Sequence, residues 1–241
     1  MLPTKKSSIK KELWEYHWLI YGPPKCGKTT FASQFNDPLF ICTENRHKHL
    51  EVYKIPQEGA ISNWQGILDA FKSIKSEVDA GKFKWKTLVI DTIDNAWRYC
   101  REHSNAKLGI EHESEASFGK GWEACQTEFF RVMSKITSLG IAVIFISHSK
   151  DKVKITRMGE ETKFTSSLND KAKEIIDPLI DISAAIVFKE QEGNKDSRVL
   201  VLQGSKYIEA GCATPELMPA EVALDYKELE RIFKKNQEAK K

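Results

Sequence analysis

The feature that most constrains this chain is a glycine-bounded loop between an apolar run and a helical pattern. The apolar run is Trp18–Tyr21, the loop Gly22–Thr29 reads Gly-x-x-x-x-Gly-Lys-Thr, and Phe31, Ala32 and Phe35 follow at helical spacing. Glycine at both ends of the loop lets successive backbone N–H groups turn inward around an anion. The helix N-terminus behind the loop adds partial positive charge. The sequence therefore predicts a phosphate-binding loop, or P-loop, between a strand and a helix.

Two side chains of the P-loop have the chemistry that a nucleotide site requires. Lys28 is placed to reach the β- and γ-phosphates, and the Thr29 hydroxyl is placed to bind Mg²⁺. The residues predicted to contact the nucleotide from this loop are Gly22, Pro23, Pro24, Lys25, Cys26, Gly27, Lys28, Thr29 and Thr30.

Apolar runs alternate with helical patterns along most of the chain. We predict strands over 17–21, 39–42, 87–91, 141–146, 182–189 and 199–203, and helices over 28–36, 64–78, 94–106, 122–136, 172–176 and 225–241. Ser62-x-x-Gln65 before the second helix is read as a capping box, and Arg157-Met158-Gly159 as the turn of a hairpin. This alternation predicts an α/β fold with a mostly parallel sheet and helices on both faces.

Composition limits the classes that remain. The chain has 241 residues and a formal net charge of +3, so bulk charge does not decide whether it binds nucleic acid. The five cysteines are scattered without metal spacing, which fits a reducing cytosol. No apolar run approaches membrane-spanning length, and we expect a cytoplasmic protein with no membrane partner. We divide it into a lead-in over 1–16, a core over 17–212 and a C-terminal helical tail over 213–241.

Each of the first four predicted strands ends in a group that phosphoryl transfer uses. The first strand ends in the P-loop, and the others end in Glu44, Asp91 and Ser147-His148. Ligands of parallel sheets bind at the carboxyl ends of the strands, so we expect these groups to converge. Hydrolysis of a γ-phosphate needs charge neutralisation, a metal ion and a positioned water. We therefore predict Lys28, Glu44 and Asp91 as catalytic residues.

The strand-end residues have distinct predicted roles. Asp91 and Thr29 are predicted to bind Mg²⁺, and Glu44 to orient or deprotonate the attacking water. His148 is predicted to contact the nucleotide at its γ-phosphate and to report the nucleotide state to the next loop. Each residue also has a plainer interpretation: Asp91 as a helix cap, Glu44 as a surface side chain, and His148 as a strand-end histidine.

Two basic residues late in the chain are candidates for action between subunits. Lys206 and Arg198 lie near a predicted strand end and would supply positive charge to the nucleotide of a neighbouring subunit.

Together these motifs resemble the RecA-like ATPase core. The segments GPPKCGKTT, LVIDTID, FISHSK and GSKYIEAG look like those of phage-encoded minimal RecA-core ATPases, a group that includes single-strand annealing proteins of the Sak type. The resemblance covers about residues 17–212. Where that family has an acid-x-Glu signature this chain has Cys42-Thr43-Glu44, and Ser147-His148 replaces an Asn-Gln pair.

The resemblance implies a RecA-like P-loop core that hydrolyses ATP with Mg²⁺, stimulated by DNA. It further implies binding of single-stranded DNA, recombination by strand annealing or exchange, and a homo-oligomer, with a single-strand-binding protein as a candidate partner. The family's two DNA-binding loops correspond to 107–120 and 149–172 here.

The second of these segments carries a modest excess of basic residues. We predict DNA contacts from Lys150, Lys152, Lys154, Arg157 and Lys163, with Phe164 as the aromatic residue that stacks on a base. The plainer interpretation is a charged, solvated loop.

Three other functions remain open from the sequence. One is an AAA+-type remodelling or loader ATPase, which would carry a helical lid after the core. Another is a small-molecule P-loop kinase with an arginine-rich lid. The last is a nucleotide-gated binding module with little hydrolysis.

Overall fold

In a computed structural model of the protein, the described residues are 10–45, 50–156, 159–190 and 197–240, with only the backbone described at 154 and 156. Nine strands of these residues form one sheet, and two more form a separate hairpin. No helix in this part of the chain has the length and apolar character needed to cross a bilayer.

The strands are numbered in chain order. They are β1 Trp18–Tyr21, β2 Pro38–Cys42, β3 Tyr53–Ile55, β4 Thr87–Asp91, β5 Ala142–Ser147, β6 Ser149–Thr156, β7 Gly159–Ser166, β8 Ile182–Lys189, β9 Ser197–Val201, β10 Gly211–Cys212 and β11 Glu221–Ala223. The main sheet has the order β11-β9-β8-β1-β5-β4-β2-β3, and β10 pairs with β8.

Parallel pairing joins six neighbouring strands of the main sheet, in the order β3-β2-β4-β5-β1-β8. In this register Tyr21 lies opposite Ser147, and Asp91 lies opposite both Cys42 and Ile146. The carboxyl ends of β1, β5, β4 and β2 therefore meet at one edge of the sheet. The remaining strands β9, β10 and β11 pair antiparallel, so β9 starts at that same edge and runs back.

In the described part of the chain, six α-helices pack on the two faces of the sheet. They are α1 Lys28–Ala32, α2 Trp64–Asp79, α3 Ile93–Leu108, α4 Lys120–Thr137, α5 Asp170–Ile176 and α6 Tyr226–Glu238. Apolar side chains of α2, α3, α4 and α5 form one core against one face. Those of α1, α6 and the short turn Leu13–Glu15 form a second core on the other face. The mostly parallel sheet with helices on both faces confirms the predicted fold class.

Several element boundaries differ from the sequence predictions. The cap of α2 is Asn63, whose side chain accepts from the Gly66 N–H, so the capping box at Ser62 was wrong. The first helix ends at Ala32 rather than at 36. The short strands β3, β10 and β11 were not predicted, since each is only two or three residues long.

The β6–β7 hairpin projects from the carboxyl edge of the sheet. It follows β5 after a single residue, and it returns to α5 through Ser167 to Asn169. The Phe164 N–H donates to the Tyr207 carbonyl, and the Glu209 N–H donates to the Phe164 carbonyl. The hairpin is thereby tied to the segment between β9 and β10. The predicted turn residues Arg157 and Met158 lie outside the described residues.

Both ends of the described chain pack on the core. Leu13 and Tyr16 of the lead-in are buried with Phe233 of α6, and β11 extends the sheet. The division at 16/17 and 212/213 stays a prediction.

Candidate nucleotide-binding site

The P-loop turns between β1 and α1 because two glycines permit it. A Cβ on Gly22 would lie 2.9 Å from both the Cys26 sulfur and the Ile186 carbonyl oxygen, so only glycine fits there. Gly27 caps α1 with φ of 103°, a conformation that favours glycine. The loop borders a cavity of about 260 Å³.

The cavity collects most of the predicted site residues. Its lining is Pro24, Lys25, Gly27, Lys28, Thr29, Thr30, Glu44, Asp91, Thr92, His148 and Arg198. Gly22, Pro23 and Cys26, which were also predicted to contact nucleotide, do not line it. The Cys26 side chain is instead buried, and burial raises the pKa of its thiol.

Lys28 lies folded against the loop that carries it. Its Nζ donates to the Gly22 carbonyl at 2.8 Å and to the Pro23 carbonyl at 2.9 Å. The residue is only 7% exposed, and burial lowers the pKa of its ammonium. A phosphate would offer this ammonium a full negative charge in place of two carbonyl dipoles, which favours its charged form.

Thr29 and Asp91 are adjacent, as a shared metal site requires. The Thr29 hydroxyl donates to the Asp91 carboxylate at 2.7 Å. A hydroxyl and a carboxylate are the hard oxygen ligands that Mg²⁺ takes from a protein, the rest coming from phosphates and water. These residues fit the ion, which would neutralise phosphate charge when bound. The described residues hold no cluster of three or more His, Cys, Asp or Glu side chains suited to a metal ion.

Glu44 and His148 are brought together across the top of β4. His148 Nε2 lies 2.9 Å from Glu44 Oε1, in a hydrogen bond that the ring donates to the carboxylate. The other ring nitrogen, Nδ1, is buried without a hydrogen-bond partner among the described residues. The candidate water-activating group and the candidate nucleotide sensor therefore contact each other directly.

Asp94, at the start of α3, holds the hairpin to this edge of the sheet. Its carboxylate accepts from the Ser167 hydroxyl at 2.6 Å, the Ser147 hydroxyl at 3.2 Å and the His148 N–H at 3.3 Å. The sequence does not predict this role of Asp94, because Ser167 is 73 residues away and no local pattern links them.

The late basic residues separate in the structure. Arg198 lines the nucleotide cavity of its own chain, and its predicted action on a neighbouring subunit stays untested. Lys206 is exposed, with its Nζ 4.6 Å from the Tyr207 ring centre, and does not line the cavity. Action of Lys206 between subunits stays a prediction.

The predicted DNA-contacting lysines lie on the hairpin, but two of them are paired. Lys152 donates to Asp170 at 2.8 Å, and the Lys150 Nζ lies 3.8 Å from the same carboxylate. Lys163 lines a mixed-charge depression beside them. Arg157 and the side chain of Lys154 are outside the described residues.

Phe164, the predicted stacking residue, packs inward. Its ring centre is 5.6 Å from that of Tyr21, whose hydroxyl donates to the Phe164 and Glu209 carbonyls. This partly buried aromatic residue packs the hairpin against β1, and its stacking on a base stays a prediction.

Comparisons with known proteins place this site in a family. A family model described as "AAA domain" matches residues 15–212. SPbeta prophage-derived uncharacterized protein YorG of Bacillus subtilis (strain 168) is 23% identical over 185 residues, which are 76% of this chain and 53% of that protein. The chain thus spans about half the length of that relative.

Among solved structures, the KaiC-like protein PH0186 from Pyrococcus horikoshii OT3 is similar, with a TM-score of 0.43 and 14% identity. The match covers 78% of this chain and 77% of that one. The match to the family model includes the P-loop, Glu44, Asp91 and His148 and spans most of the chain, and the protein therefore belongs to the AAA domain family of P-loop ATPases.

Proposed function

We propose that this protein hydrolyses ATP under the control of single-stranded DNA, in recombination of the phage type by strand annealing or exchange. The observation that carries the proposal is the hydrogen bond between Glu44 and His148. His148 is the residue directly before the hairpin. It therefore links the candidate general base, Glu44, to the candidate DNA-binding element.

Hydrolysis follows from the groups that line the cavity. Lys28 and the N-terminus of α1 would hold the phosphates, and Thr29 and Asp91 would hold Mg²⁺. Glu44 orients the attacking water and accepts its proton. While His148 donates to Glu44, one carboxylate oxygen is occupied and its negative charge is partly neutralised, which makes it a weaker base.

Control by DNA follows from the charges on the hairpin. Asp170 holds Lys152 and Lys150, and phosphates of a DNA strand would replace this carboxylate. The exchange shifts the hairpin, and His148 then moves from Glu44 to the γ-phosphate. The same coupling works in the other direction: when bound ATP draws His148 to its γ-phosphate, the hairpin is ordered for contact with DNA.

A second surface next to the hairpin supports the same partner. In the 107–120 connection, Phe118 is 98% exposed and offers a face to a base. Trp122 follows at the start of α4, and the Lys171 Nζ lies 5.6 Å from its ring centre. Trp122 thus lies beside α5, whose Asp170 pairs with Lys152 of the hairpin, and we propose the connection as a second DNA-contacting loop.

The biological role is proposed on two grounds. The motifs resemble those of phage-encoded RecA-core ATPases, and the curated relative is named as prophage-derived. We further propose a homo-oligomer that acts in the cytoplasm, with a single-strand-binding protein as a candidate partner.

The hairpin's role is tested by the affinity for a fluorescein-labelled oligothymidylate, measured by anisotropy with ATPγS and with ADP. We expect tighter binding with ATPγS, and loss of about tenfold in affinity in Lys150→Ala/Lys152→Ala. The control is Lys227→Ala/Lys235→Ala on α6, which removes the same charge elsewhere. Equal affinity in the hairpin variant and the control would contradict DNA binding at the hairpin.

A remodelling or loader ATPase is the second candidate, favoured by the family description "AAA domain". The described segment after the core contains β11 and α6 and no helical lid, which favours the first proposal. Turnover that responds to a protein substrate and ignores DNA would select the second.

A further inference from the structure

Arg198 lies against the P-loop. It comes from the strands on the other side of β1 from those that carry the acidic residues. It lies near the start of β9, opposite Phe188 of β8, at the carboxyl edge. A Cβ placed on Gly27 would lie 2.9 Å from Arg198 Nη1, so the guanidinium rests directly against the α1 cap. It also lines the nucleotide cavity.

Arg198 differs from the other arginines whose side chains are described. Each of the others has a carboxylate within ion-pair distance; these pairs are Arg98–Glu102, Arg101–Glu113, Arg131–Glu128 and Arg231–Glu228. Arg198 has no such partner among the described residues, and its side chain is exposed toward the cavity. A guanidinium presents five N–H donors in a fork that matches phosphate oxygens.

The strand order assigns the two walls of the cavity to different parts of a nucleotide. Glu44, Asp91 and His148 end β2, β4 and β5, on one side of β1, whereas β8 and β9 lie on the other. The metal ion and the attacking water belong with the acidic wall, and so does the phosphate that is transferred. Arg198 belongs to the opposite wall, where it lies against Gly27 at the start of α1.

We propose that Arg198 acts within its own chain to hold the phosphates that remain on the nucleoside after transfer. The inference rests on the nucleotide site proposed above and adds a residue to it. A contact with these phosphates is the same in ATP, in the transition state and in ADP. It therefore strengthens binding of both nucleotides and leaves the rate of the chemical step unchanged.

The test compares Arg198→Ala and Arg198→Lys with the wild type, by titration with a fluorescent ADP and with ATPγS in the presence of Mg²⁺. We expect Arg198→Ala to weaken both affinities by about tenfold and to raise KM similarly, with kcat changed less than about twofold. Lysine, which cannot make a forked contact, should recover only part of the loss. The control Arg231→Ala removes an exposed arginine from α6 and should leave both affinities unchanged.

Three results would overturn the inference. One is unchanged affinity for ADP in Arg198→Ala. Another is a fall in kcat with unchanged affinity, which would place Arg198 at the transferred phosphate. The third is an effect of Arg198→Ala that disappears when the protein is diluted to its monomer, as expected for action between subunits. Failure of the wild type to bind any nucleotide would instead overturn the site itself.

Discussion

Single side chains of the site are held by bonds within the chain that a nucleotide must replace. Lys28 donates to two loop carbonyls, Thr29 donates to Asp91, and His148 donates to Glu44. Each bond occupies a group that the reaction needs. The side chains are thereby kept near the positions that the proposed reaction requires, and a bound nucleotide with Mg²⁺ would take the place of these partners.

The hydrogen bond from His148 to Glu44 gives the first prediction. His148→Ala removes the ring that donates to this carboxylate and removes the link to the hairpin. We expect turnover without DNA to rise several-fold and stimulation by DNA to disappear, measured as phosphate release. His148→Gln keeps a donor for Glu44 and should retain low basal turnover. A fall in turnover by the same factor with and without DNA in His148→Ala would show that the histidine does not restrain Glu44.

At the scale of elements, the hairpin is fastened at its base and charged along one face. Asp94 bonds Ser147 and Ser167 at the two ends of the hairpin, and Tyr21 bonds the backbone of β7. Tyr21 is also the last residue of β1 before the P-loop. The hairpin is thus joined by direct contacts to the ends of β1 and β5 and to the start of α3, which follows β4.

Asp170 gives the prediction at this scale. Its carboxylate accepts a hydrogen bond from Lys152, and this ammonium keeps the pKa of the Asp170 carboxyl below its usual value. Asp170→Asn removes a carboxylate that competes with DNA phosphates. We expect tighter oligothymidylate binding and a salt dependence steeper by about 0.7 per lysine freed.

The control for this change is Asp79→Asn, which breaks another exposed pair, with Lys75, on α2. It should leave DNA binding unchanged. Weaker or unaltered DNA binding in Asp170→Asn would contradict competition at the hairpin.

At the scale of the whole molecule, both ends of the described chain stabilise the face that carries α1. Tyr16 packs edge-on against Phe233, with 5.9 Å between the ring centres. The ring centres of Tyr226 and Phe35 are 4.5 Å apart. Residues after 212 therefore support the helix whose N-terminus forms the phosphate site.

This packing predicts a large loss of stability when the α6 core residue is truncated. Phe233 is 0% exposed, and Phe233→Ala should lower the free energy of unfolding by about 3–5 kcal/mol, measured by urea denaturation. The matched control is Phe130→Ala on α4, whose ring is 52% exposed and whose loss should cost far less. Similar small losses in both variants would mean that α6 is a detachable tail.

Local patterns were enough to predict that the P-loop, Glu44, Asp91 and His148 would lie together. The P-loop is contiguous, and Glu44, Asp91 and His148 each follow an apolar strand, so parallel pairing was enough to bring them together. Arg198 could not be assigned in the same way. Its position depends on β8 pairing with β1, so that β9 starts at the edge where the P-loop lies, and local patterns do not predict this pairing of distant strands.

Other features were hidden because they depend on distant partners. The strands β6 and β7 mix charged and apolar residues without a buried face, so only their turn could be predicted. The packing of Phe164 against Tyr21 could not be predicted, because the two residues are 143 positions apart. The lysines looked free because Asp170 is 18 residues from Lys152.

The central claim is that ATP hydrolysis at this site is controlled by single-stranded DNA. The most direct measurement is the rate of phosphate release by the wild type and by Lys28→Ala, each with and without oligothymidylate. We expect slow turnover by the wild type, strong stimulation by the oligonucleotide, and loss of both in the variant. Wild-type turnover that is the same with and without DNA would keep the P-loop ATPase and contradict the DNA-controlled mechanism.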